Sequence, residues 1–306
     1  MTAAAPPTME AAEARMRAAF TEAGVRGFCF ARDVDGDRAV GVDPDAPVVL
    51  ASVFKIPIAL EYARQAAAGR LDPTGRHAVE PRFRDGGIGT SGCADPVEMS
   101  LRDLVLMMLT MSDNAATDVV LDQVGTDAVN ATLTGLGRTR THLVGGCADL
   151  LASLTAELGA ASLADAEALM AALTPARLDE LSVCDPGRTT RGTARDIAEL
   201  LAQIWRDEAG PPGACAEVRA VMARQIWPHR LSSGFGDDYR VAGKTGTLPG
   251  WRNEAGVVQA PDGGRHAVAV FTRSTRPDLR HPEADRVIGT VARIAVDALR
   301  SPTLTA

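Results

Sequence analysis

The sequence predicts an antiparallel sheet that is built from both ends of the chain, with a helical part inserted between them. Strand-like runs lie near the N-terminus and return from residue 239, whereas the long middle of the chain has the apolar spacing of helices. Because a sheet must bury a face against another layer, helices are expected to cover it. The prediction is one unit of 306 residues, with an α/β part at about 1–47 and 232–306 and a helical part at about 48–231.

The N-terminal elements follow from capping residues and from alternation of apolar and polar residues. They are a helix, two strands joined by an Asp-Gly turn and a second helix, predicted at 10–20, 27–33, 38–42 and 52–68. Thr8 is the expected N-cap of the first helix, and Gly24 stops it. Gly69 is expected to end the second helix.

The middle of the chain is predicted to be mostly helical, and the C-terminal part returns to strands. Ser100 with Asp103 three residues later forms a variant of the capping box, which favours a helix start at Leu101. The remaining elements are two helices, a mostly helical stretch whose alanine-rich part is 150–173, three strands and a closing helix, predicted at 101–111, 114–125, 148–188, 239–247, 253–259, 266–272 and 283–299.

Composition and charge exclude several classes of function. The net charge of −7 and the lack of basic runs argue against nucleic acid as a partner. No apolar stretch approaches the ~20 residues of a membrane span, and no secretory signal is visible, so a cytoplasmic protein is expected. The five histidines are scattered without a metal-ligand spacing, so no metal or other cofactor is predicted. Five cysteines without a Cys-x-x-Cys pair indicate reduced thiols, and nothing indicates the oligomeric state.

The two lysines stand out among the 32 basic residues, because all the others are arginines. A genome rich in G and C explains the scarcity of lysine, but it does not explain where Lys55 and Lys244 lie. Arginine cannot lose its proton in a protein, whereas a desolvated lysine can become a neutral amine. Both positions are therefore candidates for catalysis.

Ser52 and Lys55 are three residues apart at a predicted helix start, in apolar surroundings. On a helix these positions share one face, so the amine is expected to reach the hydroxyl. A buried lysine with a lowered pKa can remove the proton that makes serine a poor nucleophile. Taken alone, however, this spacing is more often an ordinary helix surface.

A second motif, Ser112-Asp113-Asn114, lies at the junction of two predicted helices. A serine hydroxyl there could relay a proton, and an asparagine amide could hold a substrate carbonyl. The alternative is a plain helix cap, since these three residue types are favoured as N-caps.

A third motif, Lys244-Thr245-Gly246-Thr247, lies on a predicted strand. A glycine within a strand often marks a close approach of a ligand to the backbone, and the alternative is a strand that tolerates glycine. The ammonium and two hydroxyls would suit an anionic substrate. Arg252 on the next strand could bind a carboxylate as a bidentate fork, or it could be a surface arginine.

The three motifs, in this order, make the chain resemble class A β-lactamases and related penicillin-binding proteins over about 27–299. The resemblance implies an α/β sandwich beside an all-helical subdomain, with the active site between them. It implies that Ser52 is the acylated nucleophile and Lys55 its base, and that Ser112 passes the proton to the leaving group. It also implies that Asn114 binds the substrate amide. Lys244, Thr245 and Arg252 would bind a carboxylate, and the backbone amides of Ser52 and Thr247 would form the oxyanion hole.

The chain departs from the family pattern after the second motif. Class A enzymes carry a Glu-x-x-Leu-Asn segment whose glutamate activates water for deacylation, and this segment is not found here. The nearest carboxylate is Asp149, which could place a water but is favoured as a helix cap. Trp251, just after the third motif, could line the cleft or pack on the sheet.

Three readings of function remain open. The first is a serine acyl hydrolase that acts on a small acyl substrate with a carboxylate. The second is an amidase, esterase or acyltransferase of an intracellular metabolite that uses the same acyl-enzyme chemistry. The third is a binding or sensing protein without catalysis on the same scaffold.

Overall fold

A computed structural model describes residues 8–84, 87–276 and 280–301 of the chain. The strands in chain order are β1 (Arg26–Asp33), β2 (Ala39–Val42), β3 (Val48–Val49), β4 (Arg76–Ala78), β5 (Glu98–Ser100), β6 (Arg191–Gly192), β7 (Arg240–Leu248), β8 (Trp251–Gln259) and β9 (Arg265–Arg273). The helices are α1 (Met9–Glu22), α2 (Lys55–Ala67), α3 (Leu101–Thr110), α4 (Asn114–Val124), α5 (Thr126–Gly135), α6 (Cys147–Leu158), α7 (Leu163–Met170), α8 (Pro175–Glu180), α9 (Ala194–Trp205), α10 (Pro212–Met222) and α11 (Pro282–Arg300). Among these helices, none combines the length and apolar composition that crossing a bilayer requires.

The main sheet has five antiparallel strands in the order β2-β1-β9-β8-β7. The first two strands of the chain thus pair beside the last one, as the strand-like runs at both ends predict. All five predicted strands are present to within two residues at either end. The predicted fold class, an α/β sandwich with an inserted helical part, is confirmed.

Two apolar cores lie on opposite faces of the sheet. Alternate side chains of a strand point to opposite faces. On β1, Phe28 and Phe30 therefore enter the core that the sheet shares with α9 and the helical part. Cys29 and Ala31 enter the core that α1 and α11 cover. The site lies beside β7, the outer strand nearest the helical part.

The predicted starts of two helices are confirmed, and a side chain caps each of them. Thr8 accepts a hydrogen bond from Ala11 N, and Ser100 accepts one from Asp103 N. The helix predicted from residue 52, however, begins with a 3-10 turn at Ala51–Phe54, and α2 starts only at Lys55. Two small strand pairs, β3 with β6 and β4 with β5, were not predicted, because strands of two or three residues carry no readable periodicity.

The stretch at 148–188 is mostly helical, as predicted. It contains most of α6 together with α7 and α8, and a 3-10 turn at Ser182–Cys184 follows. This stretch lies between the second motif and the main sheet, so it takes the place along the chain where the resemblance leads one to expect a deacylating glutamate.

Candidate active site

Ser52 lies in the 3-10 turn between β3 and α2 and is half-buried. Its neighbour Ala51 has a φ of 46°, in the left-handed region that alanine seldom adopts. The turn is pressed against β7 at Gly246, where a Cβ atom would lie 2.7 Å from the Leu50 carbonyl oxygen and 3.2 Å from Ser52 N. The close approach predicted at this glycine is therefore made by the backbone that carries Ser52, which explains why no larger residue fits.

The Lys55 side chain is fully buried and points to the turn between α3 and α4. Its Nζ lies 2.8 Å from Ser112 O and 2.8 Å from Asn114 Oδ1, with Ser112 Oγ at 3.3 Å. Among the described residues, Ser52 is not a hydrogen-bond partner of Lys55, whose donors are directed to the turn between α3 and α4.

This set of partners is compatible with a neutral amine at Lys55. The two nearest carbonyl-type oxygens can only accept, so they use two N–H donors, and Asp113 O lies farther off at 3.5 Å. An ammonium would donate its third N–H to Ser112 Oγ or to Asp113 O. A neutral amine would instead have a lone pair free to accept from the Ser112 hydroxyl.

Burial is the main cause that lowers the pKa of Lys55, and the nearby Cys147, Asp113 and Asp118 oppose it. Burial and the neighbouring Lys55 together hold the pKa of Lys244 well below its ordinary value. Glu254 opposes this shift by favouring the protonated form of Lys244.

Asp113 fixes the second motif by capping α4. Its carboxylate accepts from Ala116 N at 3.0 Å, from Thr90 N at 2.6 Å and from Thr90 Oγ1 at 3.1 Å. The side chain is completely buried. The cap alternative is thus realised by Asp113, while Ser112 and Asn114 line the cavity that Ser52 also lines, and their roles in proton relay and amide binding stay predictions.

The side chains of the third motif lie in two places, the buried interior and the cavity. Lys244 is fully buried, and its Nζ donates to Thr245 O at 2.9 Å. Thr245 and Thr247 line the cavity. Arg252 also lines it, donates to Trp251 O at 3.0 Å and lies 3.9 Å from Asp285.

Arg230 is a site residue that the sequence analysis missed. Its buried guanidinium donates to Thr247 Oγ1 at 2.8 Å and to Gly246 O at 2.9 Å. It also forms an ion pair with Asp285 at 2.7 Å. No signal in the sequence could single it out, because nearly all basic residues of this chain are arginines.

These residues border a cavity of about 720 Å³. Its described lining has an apolar side formed by Ile88, Met111 and Trp227. The cationic lining residues are four arginines, namely Arg230, Arg252, Arg280 and Arg286, and His229 and His281 lie among them. Asp285 is the one acidic residue of the described lining, and it is paired with Arg230. The cavity is therefore positive although the chain carries a net charge of −7.

The expectation that Trp251 binds substrate is wrong. Trp251 is 3% exposed and is absent from the described lining of the cavity. Its ring stacks on Phe28, and its Nε1 donates to Cys184 O at 3.3 Å. It packs on the sheet because that face is covered by the stretch before α9, and Trp227 supplies the aromatic wall instead.

Asp149 is a helix cap, the alternative that the sequence favoured, and the deacylating role considered for it finds no support. The side chain is exposed, and its Oδ2 accepts from Gly146 N at 2.9 Å, which satisfies the N–H of the N-cap residue of α6. The described lining of the cavity does not include it.

Asp149→Asn is accordingly expected to leave any deacylation rate within about twofold, because the amide oxygen can still cap the helix. Asp149→Ala should lower the free energy of unfolding by about 1 kcal/mol, since it removes a cap. Thermal or urea unfolding of both variants measures this difference. Selective slowing of deacylation by the asparagine variant would show instead that the carboxylate handles water.

Cys147 is the first residue of α6, and its side chain lies beside Lys55. Asp118 anchors the segment, because its carboxylate accepts from Cys147 N at 2.6 Å and from Ala148 N at 2.8 Å. Burial raises the pKa of the Cys147 thiol to about 11. A thiol with this pKa is protonated near neutrality and cannot act there as a base.

Comparison with known proteins agrees with this geometry. Residues 11–299 match the model of the β-lactamase enzyme family. The chain belongs to that family. It is 31% identical to the β-lactamase regulatory protein BlaB of Streptomyces cacaoi, over 93% of this chain and 96% of that protein.

Solved structures of the family share the fold. A β-lactamase from Sphaerobacter thermophilus is 26% identical, with a TM-score of 0.73 over 95% of this chain and 96% of that one. The L158E mutant of PBP-A, solved as an acyl-enzyme complex with penicillin G, is 19% identical, with a TM-score of 0.74 over 95% and 97%. This protein is thus a serine hydrolase of the β-lactamase type.

Proposed function

We propose that this protein forms an acyl-enzyme on Ser52 with a β-lactam or a similar amide or ester, and that it releases the acyl group slowly. The observation that carries the proposal is the placement of Lys55. Its buried amine, with a lowered pKa, is hydrogen-bonded to Ser112, and both Ser112 and Ser52 border one cavity. In this proposal, the proton of the Ser52 hydroxyl passes to the Lys55 amine when a substrate is bound. It passes either directly or through the Ser112 hydroxyl. Catalytic hydrogen bonds are often long before substrate binds.

The positive side of the cavity supports an acyl donor with a carboxylate. Thr245 and Thr247 offer hydroxyls next to the buried Arg230, and Arg252 lies at the same wall. An arginine held by protein acceptors costs little entropy when it binds an anion. The apolar side, with Ile88, Met111 and Trp227, is suited to the acyl part of the substrate.

Slow release follows from the chemistry beside Lys55. In class A enzymes a glutamate activates the hydrolytic water, whereas here α6 brings a protonated thiol, Cys147, to the lysine. The two nearest carboxylates of this region, Asp118 and Asp149, both cap α6 with their oxygens. Neither one borders the cavity in the part of the chain that is described. Within the described residues, this segment thus brings no free carboxylate to the cavity, and slow attack of water on the ester is proposed for that reason.

A second candidate function is a β-lactam sensor in which the acyl-enzyme itself is the signal. The observation in its favour is the relative BlaB, which is named a regulatory protein and matches this chain along nearly its whole length. The two candidates share acylation and differ in turnover. A sensor keeps its acyl group for longer than its signalling takes, whereas a hydrolase releases product repeatedly.

The pH dependence of acylation provides one test. Acylation needs the neutral amine of Lys55, and burial lowers the pKa of this lysine below its ordinary value of 10.5. The acylation rate is therefore expected to fall as the pH drops through that lowered pKa, because the amine becomes protonated. Stopped-flow or quenched-mass measurement of the rate across pH shows this acid limb. A rate that increases towards acid pH would contradict the role of Lys55 as base.

The direct experiment is intact-mass analysis after incubation with benzylpenicillin, with Ser52→Ala as the control. The proposal expects an adduct of the mass of the penicillin on the wild type and none on Ser52→Ala. An adduct of equal yield on Ser52→Ala would remove the assignment of the nucleophile.

A further inference from the structure

Asn253 lies on β8 opposite Gly246 and is fully buried under the turn that carries Ser52. Its Nδ2 donates to Val49 O at 2.9 Å and to Leu50 O at 3.2 Å. Since both partners are carbonyl oxygens, which only accept, the nitrogen of the amide must face them. The side chain thus holds the two carbonyls that come directly before Ala51 and Ser52.

The other atom of the same amide is left without a partner. Asn253 Oδ1 is buried and accepts no hydrogen bond within the described residues. An unpaired buried acceptor costs free energy, and an apolar side chain of similar size would avoid this cost. An apolar side chain, however, would leave the two carbonyls without their donor. The asparagine is therefore explained by what its N–H groups hold.

The held segment is the strained one. Ala51 keeps a φ of 46°, a conformation that persists only where the surroundings enforce it. Gly246 and Asn253 are opposite each other on neighbouring strands, so they share one face of the sheet. The glycine lets the turn come close and the amide fastens it, which fixes the backbone N–H of Ser52 as well as its side chain.

We propose that Asn253 is a positioning residue for acylation, which acts by clamping the Val49 and Leu50 carbonyls and so holding Ser52 in its reactive geometry. This inference rests on the proposed function, because it needs Ser52 to be a nucleophile. The amide touches no substrate. It acts on the reaction only through the turn, so it should change the rate of the covalent step and not the binding of the substrate.

The test compares Asn253→Asp with Asn130→Asp. Asn253→Asp keeps the shape of the side chain but turns an oxygen towards the two carbonyls. Asn130 likewise donates its Nδ2 to a backbone carbonyl, that of Leu143 at 2.9 Å, and it does not line the cavity, so it is the matched control. Each variant is reacted with benzylpenicillin and, separately, with a fluorophosphonate, which labels reactive serines without needing a penicillin site. Non-covalent penicillin affinity is measured with Ser52→Ala added to each.

Asn253→Asp is expected to slow both covalent reactions about 100-fold, the order of effect for a misplacement near 1 Å. The non-covalent affinity and the pH of the acid limb should stay at the wild-type values, and Asn130→Asp should react like the wild type. Asn253→Ala, which removes the donor without adding a charge, should show the same pattern if Asn253→Asp does not fold.

Several results would overturn the inference. These are wild-type rates in a folded Asn253→Asp, equal slowing in Asn130→Asp, or loss of the fold in both Asn253 variants, which would indicate a structural role alone.

The two probes separate this inference from the proposed function. If the fluorophosphonate labels the wild type faster than the Asn253 variants but penicillin does not react with the wild type, the inference is supported and the proposed β-lactam chemistry fails. An unlabelled wild type with both probes would remove both.

Discussion

Lys55→Arg is expected to abolish acylation of Ser52 nearly as completely as Lys55→Ala. The guanidinium keeps the positive charge, but it cannot accept a proton from the serine or from the Ser112 hydroxyl. General-base catalysis by a positioned side chain contributes about 10²- to 10⁴-fold, so the acylation rate should fall by that order. The rate of adduct formation with benzylpenicillin, followed by mass, measures the loss.

Lys55→Met is the matched control, because it has similar length without charge or proton affinity. The side chain is fully buried, so the unfolding temperature of each variant must be measured alongside the rate. We expect Lys55→Arg and Lys55→Met to lose acylation to a similar extent while they remain folded. An arginine variant that keeps most of its activity would mean that Lys55 supplies charge and not a base.

Cys147→Glu is expected to speed deacylation, also by about 10²- to 10⁴-fold, if the missing base limits turnover. The new carboxylate would lie beside the amine of Lys55. Ionisation there is favoured by the neighbouring lysine, although burial opposes it. Adduct lifetime after rapid removal of free penicillin measures the change, together with hydrolysis of a chromogenic cephalosporin.

Cys147→Gln separates the base from the size of the side chain, because glutamine has the shape of glutamate without its basicity. Its adduct should live as long as that of the wild type. If the glutamate variant folds and acylates yet releases the acyl group no faster, then something other than a base beside Lys55 limits deacylation. Equal acceleration by glutamine would point to an opened path for water.

The sequence predicted those parts of the site that depend on short motifs. Ser52, Lys55 and Ser112 were singled out by motif spacing, and the structure brings Ser52 and Ser112 to one cavity with Lys55 bonded to Ser112, while their catalytic roles stay predictions. The strands at both ends were readable because their long apolar runs alternate. These are local signals, which survive without knowledge of the fold.

The remaining parts come from contacts between distant segments. Arg230 reaches Thr247 across a loop, and Asn253 reaches Val49 from a strand about 200 positions away in the chain. Nothing in the sequence distinguishes Cys147 from another buried cysteine. It lies beside Lys55 because Asp118 binds the backbone at the start of α6. Trp251 was misjudged for a related reason, because its neighbours Phe28 and Cys184 come from elsewhere in the chain.

The helix start before Ser52 was also predicted with the wrong geometry. The 3-10 turn still places Ser52 and Lys55 on one face, because side chains at i and i+3 eclipse in this geometry. The 3-10 turn and the strained Ala51 arise from packing against Gly246 and Asn253, which no local propensity encodes. The nucleophile is thus shaped by the sheet it rests on.

The central claim, a long-lived acyl-enzyme on Ser52, is tested most directly by an intact-mass time course with benzylpenicillin and a chromogenic cephalosporin. Wild type and Ser52→Ala are followed side by side. We expect an adduct that forms on the wild type alone and outlasts free penicillin, with little hydrolysis of the cephalosporin. Rapid cephalosporin hydrolysis without a lasting adduct would contradict it, and so would the absence of both, which would direct the search to other esters and amides.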